Sequence, residues 1–120
     1  MNTHPLAETM AATVADRDSS GLAAALTDTV RLRALLPGGP IQAHGRDAVV
    51  ACFSGWFGGM DAVELVETAS DAVADRLLIH YRLTLAKRDT RWACTQTSIC
   101  KIDDGRLATI DLLCSGFRQI

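Results

Sequence analysis

Apolar positions along the 120-residue chain change period near its middle, from helical spacing to alternation. Leu6, Met10 and Val14 recur at i, i+4 and i+8, which predicts a first helix. Pro5 opens it, because a missing N–H is no loss at an early helical position. The polar run Asp16-Arg17-Asp18-Ser19-Ser20-Gly21 interrupts that stripe, and Ser19 or Ser20 is placed to cap a short second helix reaching Leu26. Asp28 to Leu36 then alternates, with Val30, Leu32, Ala34 and Leu36 set against Thr29, Arg31 and Arg33. Pro37-Gly38-Gly39-Pro40 ends this strand, and Ile41 to Ala43 reads as a short extended return. A third helix begins at Gly45-Arg46-Asp47, with Ala48, Val49, Cys52, Phe53, Trp56 and Phe57 on one face until Gly58-Gly59.

The second half reads as strands. Ala62 to Ala69 is one; Arg76 to Ala86 is clearer, with Leu77, Ile79, Tyr81, Leu83 and Leu85 on one face and Leu78, His80, Arg82 and Thr84 on the other. Lys87-Arg88-Asp89-Thr90 turns the chain into Arg91 to Ile102, where Trp92, Cys94, Gln96, Ser98 and Cys100 share a face. Asp104-Gly105 is a hairpin dipeptide, since both residues tolerate positive φ, and Leu107 to Cys114 closes the sheet. Helices first and long strands afterwards predict one α+β domain over residues 1–120, with the helices packed on an antiparallel sheet.

Composition narrows the function classes. With 48% hydrophobic and 22% charged residues the chain can build a core. A net charge of -2 and scattered basic residues argue against nucleic acid. No apolar run has membrane-spanning length, and the first residues lack the basic region of a secretory signal, so a cytoplasmic protein is expected. Cys52, Cys94, Cys100 and Cys114 are then expected as free thiols. They form no C-x-x-C, and His4, His44 and His80 lie far from them, so no metal site is expected.

The order helix, short helix, strand, helix and then strands resembles the nuclear transport factor 2-like superfamily, in its SnoaL-like branch, over nearly the whole chain. Local cues are Gly45-Arg46-Asp47-Ala48-Val49 at the third helix, and Asp103-Asp104-Gly105-Arg106-Leu107 followed by Asp111. The resemblance implies a cone-shaped fold whose concave sheet face and three helices enclose a cavity for an apolar small molecule. It also implies cofactor-independent acid–base chemistry by a carboxyl buried among apolar side chains, where desolvation raises its pKa.

Asp111 fits that description, because it interrupts Leu107-Ala108-Thr109-Ile110 and Leu112-Leu113. A two-residue Asp104-Gly105 loop pairs Asp103 with Arg106 and sets Asp111 opposite Ser98, on the Trp92, Gln96 and Ser98 face. A loop longer by one residue instead sets Cys94 opposite Cys114 and Ser98 opposite Ile110 and turns Asp111 outward, and alternation leaves both registers open. His80 is the second catalytic candidate as a proton shuttle, set against a place on the outer face or in a dimer contact. His44 reads as a turn residue.

The chain departs from the better-known enzymes of the fold. Its first helix has no tyrosine and its first long strand no acid, so a ketosteroid isomerase activity is not expected. Of the three groups used in limonene epoxide hydrolases, only Asp111 has a similar place. The histidine of SnoaL-like cyclases falls near Gln96 or Thr97, neither of which titrates.

Trp56, Phe57, Tyr81 and Trp92 are candidate cavity walls, Gln96 and Ser98 candidate orienting groups, and Cys114 a candidate ligand-facing nucleophile. Three functions follow. One is a cyclase, isomerase or hydrolase acting through Asp111. Another is a non-catalytic binding module, homodimeric through Val66, Ile99, Ile110 and Leu112. A third is a thiol-based redox or sulfur-handling protein using Cys114.

Overall fold

The computed structural model describes residues 4–120. Three helices, α1 (Pro5–Asp16), α2 (Ser19–Ala24) and α3 (Arg46–Phe57), cover one face of a sheet made from seven strands. The strands are β1 (Leu26–Leu36), β2 (Gly39–His44), β3 (Ala62–Val73), β4 (Arg76–Lys87), β5 (Thr90–Asp103), β6 (Arg106–Cys114) and β7 (Arg118–Gln119). Among the described residues no helix is long and apolar enough to cross a membrane.

The helix boundaries follow from local chemistry. The His4 ring accepts a hydrogen bond from the Leu6 amide at 3.1 Å, and Pro5 takes the first helical position of α1. Arg17, at φ 55°, ends α1 in the left-handed region. The cap of α2 is Asp18 and not the expected Ser19 or Ser20: its Oδ1 accepts from the Gly21 amide at 2.9 Å. An aspartate one residue earlier offers the stronger, charged acceptor. The start of α3 has no side-chain cap. Instead Arg46 joins it to β1, pairing with Asp28 at 2.6 Å and donating to the Leu26 carbonyl at 3.0 Å.

Strand order across the sheet is β2-β1-β6-β5-β4-β3, with β7 added beside β5. The sheet is mixed: β6 runs parallel to β1, where a purely antiparallel sheet was expected. The chain crosses through α3 from β2 at one edge to β3 at the other, and the antiparallel run β3, β4, β5 and β6 then returns to lie beside β1. β7 was not anticipated, because two residues carry no periodic signal. It is held by Phe117, stacked on Phe57 at 5.9 Å, and by the Ile120 amide donating to Arg91.

The core lies between helices and sheet. Met10, Val14, Val49, Phe53 and Phe57 from the helices meet Val30, Leu32, Leu77, Ile79, Tyr81 and Leu83 from the strands. The β4 alternation expected from sequence is observed in full, with Leu77, Ile79, Tyr81, Leu83 and Leu85 all buried.

One irregularity governs everything downstream of the last hairpin. Asp104 and Gly105 both take positive φ, and Asp103 pairs with Arg106, as the dipeptide predicts. After Ile102 meets Leu107, however, Lys101 meets Thr109, so Ala108 is an extra residue on β6. The Thr109 hydroxyl receives the Lys101 amide at 3.2 Å and satisfies that donor at the bulge. From there the strand has slipped by one, which exchanges its faces. Ile110, Leu112 and Cys114 turn inward, and Asp111 and Leu113 turn outward.

Candidate functional site

The slip corrects two expectations. Asp111 sits opposite Ile99 and not Ser98, on the face away from the helices. Its Oδ1 accepts from Arg33 Nε at 2.7 Å, and the two side chains remain 40% and 53% exposed. Asp111 therefore lacks the apolar enclosure on which the expected acid–base role rested. Ile110 and Leu112, expected on a dimer surface, are buried; the exposed apolar residues there are Leu35, Leu78, Ile99 and Leu113. His80 is half-buried on the same outer face, its Nδ1 at 2.9 Å from the Thr97 hydroxyl.

The inner face holds the other candidates. Phe57, Tyr81, Gln96, Ser98 and Cys114 are buried, while Trp56 and Trp92 are partly buried against the same core. Cross-strand pairing explains the arrangement. Tyr81 on β4 is directly opposite Gln96 on β5, and Gln96 is directly opposite Cys114 at the end of β6. The phenol donates to Gln96 Oε1 at 2.5 Å, and Gln96 Nε2 donates to Cys114 Sγ at 3.5 Å. The Gly116 amide reaches the same sulfur at 3.4 Å, and Cys94 Sγ lies 3.7 Å from it.

This convergence of donors sets the thiol chemistry. Cys114 is lowered to about 6, chiefly because the Cys94 thiol donates to it, with Gln96 and Gly116 adding to the effect against the opposing cost of burial. Cys94 is raised, first by that same bond and then by desolvation. Cys100 is raised to about 12, first by burial and then by the negative charge of Asp111. Burial also holds the Tyr81 phenol well above its ordinary value, so it stays a donor. The Ser98 hydroxyl is buried and has no hydrogen-bond partner among the described residues.

A hollow of about 310 Å³ opens among the three helices. Val14, Leu22 and Phe53 form its apolar floor, and Arg17, Asp18 and Ser54 its polar rim. The Arg17 guanidinium also donates to the Met60 carbonyl, which anchors one side of the rim. Sequence reasoning took Asp16–Gly21 as a helix break and the source of a cap; a polar break between two helices, ahead of an aromatic third helix, was the available signal. All fourteen acidic residues lie in the described chain, and none is buried. Among the described residues no group of three His, Cys, Asp or Glu could hold a metal ion.

Comparison with known proteins agrees on the architecture. A Catenulispora acidiphila protein with a ketosteroid isomerase-like fold, solved in complex with trimethylamine, is 11% identical with a TM-score of 0.80, over 96% of this chain and 88% of its own. A LEH-like epoxide hydrolase from M. tuberculosis is 17% identical with a TM-score of 0.70, over 92% and 80%. A de novo designed protein with a curved β-sheet is 14% identical with a TM-score of 0.65, over 92% and 83%. At such identities the likeness is one of fold. No curated protein is similar enough to count as a match. The profile of the SnoaL-like domain matches residues 7–110, most of the length, and the chain therefore belongs to the SnoaL-like family.

Proposed function

We propose that this SnoaL-like domain is a binding module for a small, largely apolar molecule, seated in the hollow among α1, α2 and α3. The hollow itself carries the reading: an apolar floor, a few polar groups at the rim and a volume at the lower end of small-molecule sites, roughly 300–1,000 Å³. Binding is preferred over carboxylate acid–base catalysis because every carboxylate is on the surface and Asp111 faces away from the helices. An apolar body would cover Val14, Leu22 and Phe53, and one polar group would meet Arg17 or Ser54. The four free thiols suit a reducing compartment, and the cytoplasm is the proposed location.

The test is a thermal-shift screen of apolar alcohols, ketones and epoxides, followed by native mass spectrometry. A ligand at a hundred times its Kd stabilises the fold by about 2.7 kcal/mol. Ser54→Trp, at an exposed rim position, fills the hollow and is expected to abolish the shift while leaving the unliganded melting temperature nearly unchanged. Ligand binding undiminished in that variant would place the site elsewhere.

A homodimer is the second reading. Leu35, Leu78, Ile99 and Leu113 surround the Arg33–Asp111 pair on the uncovered face, in a shallow depression that a second copy would fill. Sedimentation of the wild type as a dimer and of Ile99→Lys as a monomer is expected. A wild type that stays monomeric at high concentration overturns it.

A further inference from the structure

The ligand-binding reading makes no use of the two sulfurs at the end of β6, and their placement is specific. Cys94 and Cys114 lie on neighbouring strands with Sγ atoms 3.7 Å apart. Cys114 also receives the Gln96 side-chain amide and the Gly116 backbone amide. It is the last residue of β6, 8% exposed, and the chain leaves the sheet immediately after it. Cys94 is fully buried beneath it, on the strand that β7 borders.

We propose that Cys94 and Cys114 form a hydroperoxide-sensitive dithiol, in which Cys114 is oxidised first and Cys94 resolves it to a disulfide. The assignment follows from access and donors. Cys114 keeps slight exposure and two amide donors, while Cys94 has no exposure and only the Ser115 hydroxyl and the Arg118 charge to favour its thiolate. In the first step the Cys114 sulfur attacks the distal oxygen of a hydroperoxide. The O–O bond breaks, an alcohol leaves after taking a proton, and a sulfenic acid remains on Cys114. In the second step the Cys94 sulfur attacks that of Cys114. The S–S bond forms, the S–O bond breaks, and hydroxide leaves with the Cys94 proton as water. Two thiols and one hydroperoxide thus become one disulfide, one alcohol and one water, a two-electron oxidation of the protein.

Closure brings the sulfurs from 3.7 Å to about 2.05 Å. The Cys114 side chain and the non-strand segment Ser115 to Phe117 supply the movement, within the limit set by the two hydrogen bonds that hold Ser115 to Thr95. Closing the bond draws Cys114 off Gln96 and ties the end of β6 to β5.

Cys52 is the internal control. It is more exposed than Cys114 but raised by desolvation, with no hydrogen-bond donor to its sulfur among the described residues. Exposure alone therefore ranks Cys52 first, and the proposal ranks Cys114 first. Because a lower pKa also weakens the nucleophile, the expected advantage of Cys114 at pH 7 is only about fivefold.

The reduced protein is treated with one equivalent of hydrogen peroxide or cumene hydroperoxide, alkylated and digested with trypsin. Cleavage leaves Cys94 and Cys100 together on residues 92–101 and Cys114 on residues 107–118, so the cross-link is also mapped in Cys100→Ala. The expected product is a Cys94–Cys114 linked peptide, two hydrogens lighter and reversed by dithiothreitol. Cys94→Ser should stop at the Cys114 sulfenic acid, trapped by dimedone, and Cys114→Ser should lose the fast reaction. Circular dichroism of each variant establishes that the fold survives, and alkylation rates of the wild type provide a reading independent of mutation. Oxidation of Cys52 ahead of Cys114, or a cross-link through Cys100, overturns the proposal.

Discussion

On the helix-covered face of β4, β5 and β6 the polar side chains are Tyr81, Gln96, Ser98 and three cysteines. On the opposite face the same strands carry His80, Arg82, Lys101 and Asp111 among Ile99 and Leu113. The difference teaches where chemistry can be strong. Inside, water is excluded, so a single donor moves a thiol pKa and an orphan hydroxyl is costly. Outside, water and salt screen the charges, and an ion pair as short as Arg33–Asp111 contributes little.

The widest contrast is in packing. Leu32→Ala, beneath the helices, is expected to cost about 2–5 kcal/mol in urea unfolding, whereas Leu113→Ala outside costs less than about 0.5 kcal/mol. Equal losses would dissolve the distinction between the faces. Next comes the polar line. Gln96→Leu leaves the Tyr81 phenol buried without an acceptor and should cost about 1–3 kcal/mol; adding Tyr81→Phe should return part of that loss. No recovery in the double variant would mean the bond is not what matters there.

The thiols sharpen the contrast through pH. With Cys114 lowered to about 6, the folded chain holds a thiolate while the unfolded chain, near the ordinary 9.0, still holds the proton. The unfolded state then binds more protons between those values, so stability rises with pH from about 6 towards 9 and is lost again as pH falls through 6. Cys94 and Cys100 are raised, so above 9 the unfolded chain ionises first and stability falls. Urea midpoints across that range should pass through a maximum, and Cys114→Ser should remove the rising limb. The smallest effect belongs outside: Asp111→Asn should change stability by less than about 1 kcal/mol and become neutral in high salt. A loss of several kcal/mol, insensitive to salt, would restore Asp111 as a dry carboxylate.

Local pattern made most of the elements legible. The alternation of β4 named its five inward residues, and Asp104-Gly105 marked its turn, because both signals depend on neighbours in sequence. What escaped was register. Ala108 and Thr109 fit a regular strand as readily as a bulge, and that one residue moved Asp111, Ile110 and Leu112 to faces opposite those expected. The hollow was hidden for a related reason. Its rim joins α1, α2 and the end of α3, and no local pattern records how helices meet. That Cys94, Cys100 and Cys114 lie on adjacent strands and could cluster was legible; which two meet, diagonally across β5 and β6, depended on the register.

The parallel seam between β1 and β6 also bears on biosynthesis. Residues that touch across it, such as Arg33 and Asp111, are 78 positions apart, so β1 emerges long before its neighbour exists. Until then a nascent chain displays the bare amides and carbonyls of β1 along one side, an invitation to pair with other chains. Slow, late-closing assembly is the expected behaviour, and chaperone dependence or aggregation at high expression would follow from this connectivity even in variants whose finished structure is sound.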